Sequence, residues 1–168
     1  RKMGGVSGNA GLFATAGDLA RYARMLLQGG ELDGVRILSQ TSVQLMRTVQ
    51  TPPTLWSRRG LGMDIDSAFS RPRGSIFPVG SYGHTGFTGT AMWIDPFSRT
   101  FYIFLSSRLH PNGKGDVREL YTALGSAIAS QKKISTPPTA LSPRLSPDEV
   151  PTVLTGIDVL QRKNFAAL

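Results

Sequence analysis

His84-Thr85-Gly86-Phe87-Thr88-Gly89-Thr90-Ala91-Met92-Trp93-Ile94-Asp95-Pro96 decides how this chain is read. A polar His-Thr-Gly opens the stretch, glycine recurs at the third and sixth positions, and a β-rich run follows that ends in a turn. Glycine in a strand gives up side-chain packing and lets another group approach the backbone closely. A histidine and a threonine beside that opening supply a titratable group and a hydroxyl. The pattern suits a strand whose backbone lies against a substrate.

Working outward, residues 82–94 and 100–106 read as two strands joined by Asp95-Pro96-Phe97-Ser98-Arg99, an antiparallel hairpin. Phe101-Tyr102-Ile103-Phe104-Leu105 is apolar without alternation, which predicts a strand buried on both faces. Trp93 and Phe101 read as core. Asp116 is expected to cap a last helix, with Val117, Leu120, Tyr121, Leu124 and Ile128 on one face. On the N-terminal side, residues 4–13 are glycine-rich and read as a loop. Thr15 and Asp18 form a helix-start signature, followed by Leu19, Tyr22, Ala23, Leu26 and Leu27 at helical spacing, with Gly29-Gly30 as the stop. Asp33-Gly34 marks a small hairpin. Ser39 caps a second helix, ended by Pro52-Pro53. Residues 60–65 read as a strand and 66–80 as a loop. Asp64 and Asp66 alternate along that strand, at positions expected to be solvent-exposed near its end.

The 168 residues suffice for one domain with a sizeable core. Cysteine is absent, so no disulfide framework or thiolate metal site can be built. The two histidines, His84 and His110, do not make a metal-ligand spacing. No metal or other cofactor is expected, and His110-Pro111 reads as a structural turn. The net charge is +8, and the 14 arginines among 19 basic residues are scattered. Nucleic-acid binders concentrate such charge on a patch or arm, so a solvated basic surface is the reading and no nucleic-acid partner is expected. No apolar run approaches the roughly 18 residues of a membrane span. Arg1-Lys2-Met3-Gly4-Gly5 is followed by no apolar core and reads as the interior of a larger protein. Asn112-Gly113-Lys114-Gly115 lacks the spacing of a phosphate loop and reads as a turn. From Lys132 the composition shifts. Pro137, Pro138, Pro143, Pro147 and Pro151 fall among Ser and Thr, so residues 132–152 read as a linker. A foldable pattern resumes over 153–168.

Residues 4–131 resemble the C-terminal half of a serine β-lactamase or penicillin-binding-protein-like hydrolase. The likeness is to the branch of class C β-lactamases, D-alanyl-D-alanine carboxypeptidases and family VIII esterases. Three segments carry it. The His-Thr-Gly strand with its Trp-Ile-Asp-Pro ending is similar to the family's third signature, Lys-Thr-Gly in its His-Thr-Gly form. Residues 10–22, Ala-Gly-Leu-Phe-Ala-Thr-Ala-Gly-Asp-Leu-Ala-Arg-Tyr, look like the family's glycine loop and following helix. Ser107-Arg108-Leu109-His110-Pro111-Asn112 looks like its loop after the next strand. The implied domain, residues 1–131, has an α/β fold in the mixed, α+β sense: an antiparallel sheet with helices on both sides. This chain would supply three of its strands, the last helix and part of the helical side.

The resemblance implies acyl transfer through a serine ester, on an ester, amide or β-lactam. His84 would join the polar network that places protons and the substrate's carboxylate. Thr85 would hydrogen-bond that carboxylate or the carbonyl region. Gly86 would let the acyl group lie against the strand. The backbone N–H of Phe87 would be one of two oxyanion donors. Histidine in place of lysine departs from the commonest form, since an unperturbed histidine, pKa about 6.5, is mostly neutral at pH 7. That favours esters and uncharged amides over anionic substrates. The Ser-x-x-Lys nucleophile and the second signature, Tyr-x-Asn or Ser-x-Asn, are expected upstream, in the remaining half of the domain. The one Ser-x-x-Lys match, Ser130-Gln131-Lys132-Lys133, follows His-Thr-Gly instead of preceding it, and reads as chance. The partner implied is a small-molecule or peptidoglycan-derived substrate, in a periplasmic or other extracytoplasmic setting. The alternative is a non-catalytic binding module for peptidoglycan or a partner enzyme. A second resemblance, over about 14 residues, links Thr155-Gly156-Ile157-Asp158-Val159-Leu160 and Phe165-Ala166-Ala167-Leu168 to the opening of the exo-β-N-acetylmuramidase family.

Overall fold

The computed structural model describes residues 11–134. Helix α1 (Ala16–Leu27) starts where the sequence places it. The Thr15 hydroxyl accepts from the Asp18 amide at 3.2 Å, and the Asp18 carboxylate accepts from the Thr15 amide at 2.9 Å. That reciprocal cap satisfies two otherwise orphaned donors. Strands β1 (Glu31–Leu32) and β2 (Val35–Arg36) form the hairpin signalled by Asp33-Gly34. Helix α2 (Gln40–Arg47) is capped by Ser39, whose hydroxyl accepts from the Ser42 amide at 3.0 Å. It stops at Arg47, several residues before Pro52-Pro53, because the Thr48 backbone is already extended.

The main sheet is an antiparallel meander of five strands, β3 (Arg58–Arg59), β4 (Asp64–Asp66), β5 (Tyr82–Thr85), β6 (Ala91–Asp95) and β7 (Thr100–Phe104), in that spatial order. Two of the expected strands are each broken by a turn. The chain reverses between β3 and β4, so 60–65 is not one strand. It reverses again within 82–94, at residues 86–89, so His84 and Met92 face each other across a hairpin. Glycine in that stretch serves the reversal: Gly89 has φ of +106°, which strongly favours glycine. The sheet therefore has five strands where three were expected.

Helices cover both faces of the sheet. On one face, Ile65, Tyr82 and Ile94 pack with Ala23, Met25 and Leu26 of α1 and Val43 of α2. On the other, Trp93, Tyr102 and Phe77 pack with Ala129 of α3 (Arg118–Gln131). Successive β6 side chains point to opposite faces, so fully buried Trp93 and Ile94 enter different clusters. The Trp93 indole N–H donates to Ser81 Oγ at 2.9 Å, which keeps that ring's polar atom satisfied. Phe101 packs, partly buried, against the first cluster. Strand β7 is half-buried, not buried on both faces. It is the edge of the sheet among the described residues, and Leu105 just beyond it stays exposed.

Helix α3 buries the expected face in part: Tyr121 is inside and Ile128 packs, partly buried, against the Trp93 cluster. Tyr121, Gly125 and Ala129 are inside, while Leu120 is 44% exposed. No side chain caps it; Asp116, which accepts from the Arg118 amide, lies one residue before the cap position, Val117. Its inner face lies on a short 3-10 turn (Arg71–Arg73) within the expected 66–80 loop. A Cβ at Gly125 would sit 2.1 Å from the Pro72 carbonyl oxygen, a backbone atom that cannot swing aside. Gly125→Ala should therefore cost about 1–3 kcal/mol, read as a lowered urea midpoint with unchanged slope. An unchanged midpoint would mean the helix sits less tightly on that turn. The linker expected over 132–152 and the tail over 153–168 lie, past residue 134, outside the described residues.

Candidate active site

Strand β5 delivers His84 and Thr85 to the wall of a cavity of about 630 Å³, and Gly86 and Phe87 continue that wall into the turn. The four sequence-derived site residues thus line one cavity. Facing them are Arg59, the Ala68-Phe69 loop, Arg108, residues 114–118 and Tyr121.

His84 is half exposed and held at both ring nitrogens. Nδ1 lies 2.6 Å from the Thr85 carbonyl oxygen. A carbonyl can only accept, so Nδ1 carries a proton and donates. Nε2 lies 3.2 Å from an Arg59 guanidinium nitrogen, which can only donate, so Nε2 accepts. The neutral imidazole satisfies both contacts at once. Behind it, the other Arg59 terminal nitrogen meets Asp64 Oδ1 at 2.9 Å, and the Ser67 hydroxyl donates to the same oxygen at 2.8 Å. Asp64 is fully buried, and its second oxygen has no hydrogen-bond partner; it sits 3.9 Å from His84 Nε2. The expectation that Asp64 is solvent-exposed is thus overturned. Pairing of β4 with β5 turns it inward beneath the histidine. Asp66 is the more open of the two and pairs with Arg73 at 3.0 Å.

The turn after Thr85 is closed by two backbone hydrogen bonds, Gly86 N–H to Thr90 O at 2.7 Å and Gly89 N–H to Gly86 O at 3.0 Å. Phe87 is the second residue of the four-residue turn 86–89. Its carbonyl accepts from Arg108 Nε at 2.8 Å, and the Arg108 guanidinium carbon lies 4.9 Å above its ring centroid. Phe87 lines the cavity, and among the described residues its own amide has no hydrogen-bond partner.

The opposite wall is rich in cations. Arg118 pairs with Asp116, whose carboxyl is held well below the usual carboxylate range by the Arg118 side-chain hydrogen bonds and the Arg118 amide. Arg71 pairs with Glu119 at 2.7 Å. The Arg108 side chain donates to the Phe87 and Gly115 carbonyls, and Lys114 Nζ has no carboxylate partner among the described residues. The Tyr121 hydroxyl donates to the Thr90 carbonyl at 3.2 Å, and burial raises its pKa. The expected turn over 112–115 is found only at its start: Asn112 ends a turn and its side chain accepts from the Lys114 amide, while Lys114 and Gly115 line the cavity. His110 is exposed and is not among the residues lining it. Ser130 is on the last turn of α3 and also does not line it. Lys133 has φ of +51°, so the Ser-x-x-Lys letters do not continue along one helix there. One Ser-x-Asn match, Ser7-Gly8-Asn9, does occur in the chain, against the expectation that the second signature lies wholly upstream; it falls outside the described residues.

Arg59, Asp64, Arg108 and Lys114 are the site residues that sequence reasoning missed. Alternation singled out Asp64 but not its direction, because the register that seats Asp64 opposite Gly83 is set by pairing, not by local pattern.

An antiparallel sheet between helices, with His-Thr-Gly leading into a cavity, is the arrangement that the resemblance to β-lactamase-like hydrolases implies. A family model described as Beta-lactamase matches residues 1–127, and the chain belongs to that family of serine hydrolases. A protein of Escherichia coli O157:H7 named "Putative D-alanyl-D-alanine carboxypeptidase" is 36% identical over 110 residues, covering 64% of this chain and 25% of its own length. One of Salmonella paratyphi B with the same name is 32% identical over 108 residues, with 64% and 25% covered. The chain thus spans about a quarter of the length of these curated relatives. The crystal structure of a β-lactamase from Mycobacterium bovis shares the fold, with TM-score 0.52, 24% identity, 71% of this chain covered and 44% of that one.

Proposed function

We propose that the complete protein performs acyl transfer or hydrolysis through a serine acyl-enzyme, and that this chain supplies the wall of the site that receives the oxyanion. The observation that carries this is the unpartnered Phe87 amide in a cavity wall that also presents His84 and Thr85. A preorganised N–H of that kind lowers a barrier because it needs no reorganisation when charge develops on the substrate oxygen. Gly86 adjoins it, where a Cβ would meet Thr90 Oγ1 at 2.1 Å, so the close packing of the turn itself favours glycine there. Thr85 offers a hydroxyl at the end of β5, and His84 a polar ring whose two nitrogens are already oriented. The nucleophile comes from outside the described residues.

The substrate class we favour carries a carboxylate. The expectation drawn from histidine at position 84 points to uncharged substrates, but it considers that position alone. Lys114 lines the same cavity without an acidic partner among the described residues, and its charge favours an anion there. A peptide ending in D-alanine, as in the relatives' names, has the required carboxylate and a scissile amide.

The test uses the complete protein with a fluorophosphonate probe and a chromogenic β-lactam. Stoichiometric labelling of one serine is expected. His84→Ala should slow acylation roughly 100-fold, while ground-state binding changes little. No labelling at all would favour the non-catalytic binding module. Unchanged acylation in the variant would leave His84 a structural residue.

A further inference from the structure

We propose that Arg108 is a positioning residue for the oxyanion donor, acting through the 86–89 turn and not on the substrate. The inference rests on the reading of the Phe87 amide just given and deepens it. Phe87 N–H belongs to the peptide unit whose oxygen is Gly86 O. That unit is planar and trans, so fixing the Gly86 carbonyl fixes the direction of the Phe87 N–H. The Gly89 amide does this from inside the turn. What keeps the turn itself in place comes from residues 106–108.

Three successive carbonyls of the turn are tied to that segment. Phe87 O accepts from Arg108 Nε at 2.8 Å, Thr88 O from the Arg108 amide at 2.9 Å, and Gly89 O from Ser106 Oγ at 2.6 Å. The guanidinium lies over the Phe87 ring, so that residue is held by its carbonyl and by its side chain. A Cβ on Gly89 would come within 3.2 Å of Arg108 Cβ and Cγ, which shows how closely the two segments pack. Arg108 also reaches the opposite wall. Its terminal nitrogen donates to Gly115 O at 3.0 Å, and its own carbonyl accepts from the Gly115 amide at 3.1 Å. One side chain therefore ties the donor turn to the loop across the cavity.

Lysine cannot reproduce this. The two Arg108 contacts leave different nitrogens of a rigid planar fork whose central carbon also lies over the ring; an ammonium is a point charge on a flexible stem. Charge and geometry can thus be separated experimentally. In the complete protein, acylation would be followed in the pre-steady state with two substrates, an anionic chromogenic cephalosporin and a neutral p-nitrophenyl ester. Arg108→Lys and Arg108→Met should each lower the acylation rate constant roughly 10- to 100-fold for both substrates, with ground-state dissociation constants changed less than about 3-fold. If Arg108→Lys is normal and Arg108→Met weakens binding of the anion only, Arg108 attracts substrate charge and the proposal is wrong. If the parent protein acylates with neither substrate, the oxyanion reading fails. The positioning claim is then judged by amide hydrogen exchange. Arg108→Lys, the gentler variant should Arg108→Met not fold, is expected to speed exchange at Gly86 and Gly89 about 10-fold while β6 amides are unchanged. Unchanged exchange at both would overturn it.

Discussion

Phe87→Pro should lower the acylation rate of the complete protein by roughly 100- to 1,000-fold while leaving the fold intact. The substitution removes one atom pair of interest, the amide N–H, because proline has none. Elsewhere such a change would distort the backbone. Here Phe87 occupies the second position of the turn closed by the Gly89 N–H to Gly86 O bond at 3.0 Å. Proline is favoured at that position, since its ring presets the required φ. Phe87 is 76% exposed, so no core packing is lost with its ring. The control is Phe87→Ala, which keeps the amide and loses the cation–π contact with Arg108. It should fall far less, within about 10-fold. Acylation rates by stopped flow and unfolding midpoints would be measured for both. If Phe87→Pro acylates normally with an unchanged midpoint, the oxyanion donor lies elsewhere.

What was legible in the sequence follows from how local each signal is. Caps are set within four residues, and Thr15 with Asp18 and Ser39 with Ser42 fall where pattern places them. The Asp33-Gly34 hairpin and the β6–β7 hairpin are local for the same reason. The His-Thr-Gly-Phe run stands out because its residue types make poor sense as strand packing, and its four residues do line one cavity. Less visible was the reversal inside it. Residues 82–94 read as one strand because apolar and β-branched residues dominate both halves. The turn is imposed by Gly89 and by tertiary bonds from Ser106 and Arg108, nearly twenty residues on. Non-local contact also explains α3. Its inner face is Tyr121, Gly125 and Ala129 because a 3-10 turn some fifty residues earlier demands small neighbours. No periodicity within the helix announces that.

The buried pair beneath the histidine carries the largest stability consequence in the site. Asp64→Ala should destabilise the protein by about 2–4 kcal/mol. Asp64 is fully buried and accepts from Arg59 at 2.9 Å and from the Ser67 hydroxyl at 2.8 Å. Removing it leaves the Arg59 guanidinium without its counter-charge and the Ser67 hydroxyl without its acceptor. Arg59 is about one-third exposed, so water recovers part of the electrostatic loss, which keeps the figure below that of a sealed pair. The damage spreads along bonds already described. Ser67 Oγ accepts from the Phe69 amide at 3.1 Å, and Phe69 lines the cavity. Arg59 in turn donates to His84 Nε2. Asp64→Asn keeps an oxygen acceptor for Arg59 or Ser67 and should cost clearly less, about 1–2 kcal/mol. Urea denaturation of the complete protein would measure both, and imidazole ¹⁵N shifts would report whether His84 keeps its proton on Nδ1. The alanine variant is expected to lose that tautomer preference along with stability. A loss below about 1 kcal/mol, with the Nδ1–H form retained, would mean that Asp64 and Arg59 neither brace the sheet nor orient the histidine.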